Sequence, residues 1–171
     1  MGRAGSSGGV NYLKGFEKVM AELNVQINAI ENRSMAGEIK AVAFIRTETE
    51  ATPPLTPVDY GNLRASWFTV TAKRKVAGKG EGAFKGPQAG TIAEQCAANI
   101  QQAQSEIEAM DSKTKKHLMF GYSANYSGYV HEMEGATFQR PGAGPKWLEA
   151  HVKGSSNKIL QIIREDAQIK R

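Results

Sequence analysis

Apolar side chains in the first third of the chain recur at steps of three and four residues, which is the spacing of one helix face. Over residues 12–32 the apolar positions are Phe16, Val19, Met20, Leu23, Ile27 and Ile30. A second helix is predicted from Ser34, a residue that suits the N-cap. Its apolar stripe is Met35, Ile39, Val42 and Ile45. It must end before Pro53, because a residue that precedes proline is disfavoured in the helical conformation. One bent helix fits the same pattern, since Gly37 only weakens it.

Beyond the two prolines the pattern becomes that of strands. Residues 65–73 are rich in aromatic and β-branched side chains and carry apolar groups on both faces. This predicts a strand that is covered on both sides or lies at a subunit contact. Residues 117–123 alternate and predict a second strand. Residues 135–140 are compatible with a third, short strand.

Helical spacing returns between and after these strands. It predicts a helix over residues 91–110, one or two helical turns over 125–132, and a long helix over 146–168. Gly154 is a potential break in that last helix, because glycine costs roughly 1 kcal/mol relative to alanine inside a helix. The prolines and glycines of residues 141–145 predict a constrained loop.

This order of elements predicts an α+β fold. We expect a small antiparallel sheet of about three to four strands, packed by long N-terminal and C-terminal helices. A loop plus helix, residues 73–116, is inserted between the first two strands. Residues 1–11 are glycine-rich and predict a flexible tail, and residues 12–171 fit a single domain whose length can bury a core without metal or disulfide.

The inserted segment begins with a concentration of positive charge. Residues 73–90 contain five glycines, one acid (Glu81) and five cations: Lys73, Arg74, Lys75, Lys79 and Lys85. This composition predicts a mobile basic loop. Such a loop can contact nucleic-acid phosphates, which are recognised by charge. A solvated loop, or one that folds against an acidic neighbour, is the favoured interpretation because no recognition helix or interleaved aromatic residue accompanies the charges.

The net charge, the cysteine content and the hydropathy of the whole chain narrow the possible functions only slightly. The formal net charge of +5 is compatible with an acidic partner, but simple solubility is the favoured interpretation. Cys96 is the only cysteine, which excludes an internal disulfide and indicates a reducing compartment. No stretch approaches the roughly 20 apolar residues of a membrane-spanning helix, so no membrane contact is predicted.

Motifs that would indicate catalysis are missing from the sequence. It contains no nucleophile elbow, no phosphate-binding loop and no dinucleotide fingerprint. His131 and Glu132 begin a zinc-protease motif, but Gly135 stands where the second histidine belongs. We therefore predict no enzyme activity, cofactor, metal or small-molecule substrate. A hydrolase built on Ser66, a histidine and Asp59 or Asp111 is left as a minor alternative.

Residues 56–68 mark the change from helix to strand. Pro57 fixes one backbone angle, Asp59 can hydrogen-bond to its own backbone, and Gly61 tolerates a positive φ. With Asn62 they predict a tight structural corner. Trp67 follows it, and Trp147 opens the last helix; both are interpreted first as core anchors, with an interface hot spot as the rival interpretation.

Three segments together carry a resemblance to a known family. They read T-P-V-D-Y-G-N-L-R-A-S-W at 56–67, G-Y-S-A-N-Y-S-G-Y-V-H-E-M at 121–133, and F-Q-R-P-G-A-G-P-K-W-L-E-A at 138–150. In order and spacing they resemble the neck or tail-completion proteins of tailed bacteriophages, the head–tail joining family also described as minor tail or minor capsid proteins. That family has a T-P-V-D-T-G-x-L-R-x-S corner, a Y-A-x-Y-V-H/E segment after the second strand and a proline turn before the last helix.

The chain departs from the family pattern in three places. Tyr60 stands where the family usually has threonine, and Ser127 and Gly128 replace the usual small residues after the tyrosine. The segment 73–116 is longer than the common connection between the strands, so the family says little about it.

The resemblance implies a non-enzymatic virion protein, assembled in the host cytoplasm, that forms a closed ring at the head–tail junction. Its partners would be other copies of itself, six by analogy with tail-end proteins, together with connector or head-closure proteins and tail-terminator or tail-tube proteins. The genome passes through such rings, so the basic loop could contact DNA nonspecifically if it faces the lumen.

Within this hypothesis the candidate residues receive roles. The corner is shaped by Pro57, Asp59, Gly61 and Asn62. The core or interface residues are Leu63, Trp67, Tyr126, Tyr129, Val130, Trp147 and Leu148. The subunit or partner contacts are Arg64, His131, Glu132 and Arg140, with an Arg64–Glu132 ion pair as a specific prediction. The candidate DNA or lumen contacts are Lys73, Arg74, Lys75, Lys79 and Lys85.

Overall fold

The structure is a computed structural model that describes residues 8–72, 74–77, 84–111 and 116–168. Its first element is a single helix, α1 (Gly8–Ala51), of 44 residues. At 1.5 Å per residue this helix is about 65 Å long. The two predicted helices are therefore one, because Ser34 does not start a new helix: its hydroxyl bonds the Glu38 side chain one turn on. Residues 8–11, predicted as part of a flexible tail, are helical; residues 1–7 of that tail lie outside the described residues.

The remaining elements follow in a mixed order of helix and strand. They are α2 (Asn62–Ala65), β1 (Trp67–Thr71), β2 (Arg74–Ala77), α3 (Ala89–Met110), β3 (Leu118–Tyr122), α4 (Ser127–His131), α5 (Trp147–Gly154) and α6 (Ser156–Ala167). The fold is thus α+β, as predicted. Within the described residues, no helix combines the length and the apolar character needed to cross a membrane.

The strands form an antiparallel sheet in the order β2-β1-β3. Phe68 in the central strand lies opposite Ala77 on one side and Gly121 on the other. The strand β2 corrects the prediction that residues 73–90 form only a loop: Thr71 pairs with Arg74, so the chain turns back at once and builds a hairpin. Backbone pairing with a buried neighbour here outweighs the poor strand composition of the segment.

Every residue of β1 is buried. Phe68 and Val70 pack against Ala103 and Ile107 of α3 on one face. Trp67 packs against Val42 and Ile45 of α1 on the other. Since successive side chains of a strand point to opposite faces, the sheet is a middle layer between two helices. This agrees with a strand covered on both sides, the first of the two interpretations its sequence left open.

Two other sequence predictions change. Residues 135–140 form a turn and irregular backbone instead of a strand, with Gly135 at φ +76°. The long last helix is interrupted at Ser155, one residue after the predicted break. Its second part, α6, runs antiparallel to α1: Gly37 faces the backbone of Ile163, whereas Ile159, one turn earlier in α6, packs with Val42 and Ile45 further along α1.

Candidate functional site

The three segments that carry the family resemblance meet around one groove. Its walls come from residues 57–63, 126–133 and 137–139, and its volume is about 400 Å³. We call it the corner groove. Most of its lining is apolar, including Val58, Leu63, Val130, Met133 and Phe138. The three segments of the resemblance therefore contribute to the same groove.

The corner itself owes its shape to Gly61. This residue has φ +87° and precedes the short helix α2, a backbone conformation that costs little only for glycine. Asn62 follows and is buried. Its amide donates to the Lys85 carbonyl at 2.9 Å and accepts from the Lys85 N–H at 2.7 Å. The Asn62 side chain thus ties the inserted segment to the corner at residue 85.

Tyr60, the main departure from the family pattern, lines the groove and is largely exposed. Its ring lies over Gly86, where an added Cβ would come within 3.6 Å of the ring. Pro57 and Asp59 line the same groove. Tyr60 therefore does two things that a threonine could not: it covers the turn before α3 and extends the apolar wall.

Behind the groove, one carboxylate holds three arginines. Glu50 Oε2 lies 2.7 Å from Arg64 Nε and 2.8 Å from Arg140 Nη1, and Glu50 Oε1 lies 2.9 Å from Arg46 Nη1. We call these four residues the Glu50 cluster. The cluster joins the end of α1, the corner and the turn at Arg140. These three parts of the chain are thereby fixed relative to one another.

The Glu50 cluster corrects the predicted Arg64–Glu132 ion pair. Arg64 pairs with Glu50 instead. Glu132 bonds His131 Nδ1 at 2.7 Å and Lys146 Nζ at 2.9 Å. Arg64 and Arg140, predicted to contact partners, are thus engaged inside their own subunit. Sequence reasoning missed Arg46 and Glu50, although their four-residue spacing on a helix was the available signal.

Carbonyl and hydroxyl oxygens complete the Glu50 cluster. Arg140 also donates to the backbone carbonyls of Thr56 and Glu50, at 3.0 and 2.8 Å. Arg46 donates to the Tyr122 hydroxyl at 3.1 Å. That hydroxyl lies 2.8 Å from Thr56 Oγ1, and the Thr56 side chain is fully buried. Since buried polar groups cost free energy unless they are bonded, these contacts explain how three guanidinium groups can share one carboxylate.

The predicted core or interface residues separate into two groups. Leu63, Trp67 and Trp147 are buried, and Val130 and Leu148 are half-buried against them. Trp147 is fully buried, with the rings of Tyr122 and His131 edge-on at 5.9 and 4.8 Å. Both tryptophans thus lie in the core of the subunit. Tyr126 and Tyr129 are exposed, Tyr129 by 72%, and so belong to the surface beside the groove.

Acidic groups stand along the rim of the groove. Asp59 lines it, and Glu132 and Glu134 flank the lining residue Met133. The hydrogen bond from Lys146, and then the one from His131, lowers the pKa of Glu132. Partial burial raises the pKa of Tyr126, and the neighbouring Cys96 and Asp59 raise it further. Glu132 is therefore ionised at neutral pH and forms an ion pair with Lys146 beside the groove.

A second exposed apolar surface lies far from the groove. Residues 18–32 of α1, which we call the α1 overhang, expose Val19, Met20, Leu23, Ile27 and Ile30. Further along the same helix, Ala41, Val42 and Ile45 are buried. The face that packs the core in one half of α1 thus continues uncovered into the other half.

The candidate DNA contacts are placed only in part. Arg74 and Lys75 belong to β2 at one edge of the sheet. Lys85 is exposed beside the corner. Lys73 and Lys79 lie outside the described residues.

The candidate metal ligands and nucleophiles among the described residues lie apart from one another. No group of three His, Cys, Asp or Glu side chains among them could hold a metal ion. Ser66 is buried and its hydroxyl donates to the Leu63 carbonyl at 2.8 Å. His117 lies 3.2 Å from Asp111, and His151 bonds the Pro54 carbonyl at 3.1 Å. These side chains hold the fold together and form no shared site.

Comparison of the chain with protein-family models, with curated proteins and with solved structures found no match. The family resemblance of the three segments therefore stays a prediction.

Proposed function

We propose that this protein is a structural subunit of a closed ring at the head–tail junction of a tailed bacteriophage. One observation carries the proposal: the three segments that resemble the neck and tail-completion family all line the corner groove, and two of them supply Arg64 and Arg140 to the Glu50 cluster. Segments that matched by chance would have no reason to build one surface together.

The α1 overhang supports an assembling protein. It presents five large apolar side chains on one helix face, of which the least exposed is still 38% accessible. Contiguous exposed apolar surface of this kind marks an interaction site. A ring requires two different surfaces on each subunit, which meet head to tail and close. The overhang and the corner groove are two such surfaces.

The proposal includes the finer architecture and the partners. The subunit is a small antiparallel sheet packed by its N-terminal and C-terminal helices, with residues 73–116 inserted beside it. Six copies form the ring by analogy with tail-end proteins. Its neighbours are a connector or head-closure protein on one side and a tail-terminator or tail-tube protein on the other. The ring has no enzymatic role; it joins head to tail and lets DNA pass.

Imaging and mass measurement test this function. Negative-stain images of the purified full-length protein should show rings, and antibodies raised against it should label the neck of intact virions. A protein that stays monomeric at every concentration and is missing from virions would contradict the proposal.

The basic segment supports a second candidate, a DNA-binding module. Residues 73–85 carry five cations against one acid, and Arg74 and Lys75 lie on an edge strand. Binding to duplex DNA should weaken steeply with salt, and reversing the charges of Lys73, Arg74 and Lys75 should reduce the slope. Absence of binding at low salt would rule this candidate out. It is compatible with the ring, whose lumen would hold DNA.

A further inference from the structure

We propose that strand β2 of one subunit pairs with the open edge of strand β3 in the next copy of this chain, so that the sheets of neighbouring subunits join. The inference rests on the proposed ring and adds to it a contact between main-chain atoms. Because β2 and β3 are the two outer strands of the sheet, every subunit presents one edge of each kind. The N–H and C=O groups of such an edge can pair with a strand of another chain.

The pairing of β3 with β1 shows which main-chain groups of β3 point outward. The N–H of Ser123 donates to the Ser66 carbonyl at 2.8 Å, and bonds of this kind recur at every second residue of an antiparallel pair. With the observed register, the odd-numbered residues of β3 therefore bond β1. The N–H and C=O groups of Leu118 and Phe120 point away from β1. No residue that the structure describes bonds these outward groups.

The edge of β3 lacks the features that usually prevent strand pairing, which are charged side chains, proline and bulges. Residues 118–122 read L-M-F-G-Y and keep one register with β1 throughout. On the α3 side of the sheet, an open groove of about 480 Å³ lies between β3 and α3. We call it the β3 groove; its lining includes Phe68, Ala103, Glu106, Met119 and Asn125. The helix α3 therefore leaves room beside β3 for the side chains of a further strand.

The strand β2 fits this edge in its main-chain groups and in its charge. Thr71 and Arg74 pair across a tight turn, so they bond each other and the main-chain groups of Lys75 point outward. Position 75 belongs to the α3 side of the sheet, because it pairs with Val70, which packs on α3. In a sheet that continues with the same face, Lys75 would therefore stand at the β3 groove of the next copy. Glu106 is the one charged residue among those that line this groove, and its sign is opposite.

A second copy is the occupant because one sheet supplies both partners. In a ring closed by pairing of β2 with β3, every open edge finds a strand, and closure is what removes edges from a sheet. A foreign strand on β3 would leave β2 of every subunit open. The contact joins two different surfaces head to tail, as a closed ring requires.

Two substitutions at one position of β2 test the main-chain contact. Lys75→Pro removes the outward N–H, and proline is tolerated at an edge position whose N–H does not bond the neighbouring strand. Lys75→Thr removes the same charge but keeps the N–H and favours a strand. By light scattering, Lys75→Pro should need roughly tenfold more protein than Lys75→Thr to assemble, since each contact loses one hydrogen bond. Equal assembly of the two variants, both with the wild-type circular dichroism spectrum, would overturn the strand pairing.

A charge exchange tests the placement of β2 beside the β3 groove. Glu106→Lys and Lys75→Glu should each weaken assembly, because each brings like charges together, and the double variant should recover it. Glu94→Lys is the matched control: Glu94 is exposed on the same helix but does not line the groove, so this variant should assemble as the wild type does. A double variant that assembles no better than either single variant would contradict the proposed register.

Amide hydrogen exchange on the wild type tests the contact without a substitution. The amides of Leu118 and Phe120 should exchange roughly tenfold more slowly after assembly than in the diluted monomer. Those of Met119 and Gly121, which bond β1 in either state, should change little. If rings form while the Leu118 and Phe120 amides exchange as in the monomer, this inference is overturned and the ring stands. If the wild type is monomeric at every concentration, the ring itself is contradicted, and the strand pairing with it.

Discussion

The two halves of α1 share one apolar face but differ in what covers it. Ile27 and Ile45 are 18 residues apart, which is five turns at 3.6 residues per turn, so they lie on the same side of the helix. Ile45 is 3% exposed and Ile27 is 41% exposed. The body half packs on α6 and the sheet, whereas no described residue covers the apolar face of the overhang. Periodicity therefore identifies the apolar face of a helix, but it does not identify what covers that face. Here α6 and the sheet cover the body half of α1 and do not extend along the overhang.

The largest expected effect comes from shortening the two isoleucines in turn. Ile45→Ala removes a buried side chain and should cost about 2–5 kcal/mol of unfolding free energy. Ile27→Ala should cost less than about 0.5 kcal/mol in the monomer. Urea unfolding at several protein concentrations measures both. The effect of Ile27→Ala should grow with concentration, because subunit binding adds to stability, and that of Ile45→Ala should not. If both variants lost the same unfolding free energy at low protein concentration, the claim that only the body half of α1 is buried within the subunit would be contradicted.

The next effect concerns the carboxylates of the same helix. Glu50→Gln leaves the guanidinium groups of Arg46, Arg64 and Arg140 near one another without their shared negative charge. We expect a loss of about 2–3 kcal/mol, below the range for a fully buried pair because the site is partly open to water. The control is Glu22→Gln on the exposed overhang, which should change stability by less than about 0.5 kcal/mol. Similar small losses for both variants would show that the Glu50 cluster adds no stability.

A glycine substitution tests how closely α6 approaches α1. Gly37→Ala should improve helix propensity by about 1 kcal/mol. Its new Cβ, however, would stand 2.9 and 3.0 Å from the Ile163 Cα and carbonyl oxygen. Backbone must shift, so we expect a net loss of about 1–2 kcal/mol in thermal or urea unfolding. Gly154→Ala is the control, because open space surrounds it, and it should be neutral or stabilising. A stabilised Gly37→Ala would mean that the two helices pack less closely.

The smallest effect is a pH dependence at the rim of the groove. Lys146, followed by His131, lowers the pKa of Glu132. A lowered carboxyl pKa contributes stability above the unfolded value of about 4.3, and that contribution is lost as the pH falls through the folded value. Lys146→Met removes the main cause. Stability between about pH 3 and 5 should then fall less steeply than in the wild type, and identical slopes would contradict this.

Local pattern predicted the α+β class and the apolar faces of the helices, because these depend on spacing alone. It also predicted Gly61, where a turn requires a positive φ. The strand β2 was missed because the glycines and cations of residues 73–90 predict a loop, and pairing with β1 compensates for the charged residues Arg74 and Lys75. The Glu50 cluster was missed because Arg64 and Arg140 reach Glu50 from 14 and 90 residues away. The predicted Arg64–Glu132 pair is wrong for the same reason: the choice among carboxylates is made by the tertiary fold.

The most direct test of the account is the mass of the purified full-length protein beside two charge variants of α1. By light scattering, the wild type and Val25→Glu, whose charge lies on the opposite side of α1 from Ile27, should form one closed assembly of several subunits, six by analogy. Ile27→Glu should remain at the 18.5 kDa mass of a single subunit. A monomeric wild type, or an Ile27→Glu variant that assembles as readily as the wild type, would contradict the claim that the exposed face of α1 joins the subunits of a ring.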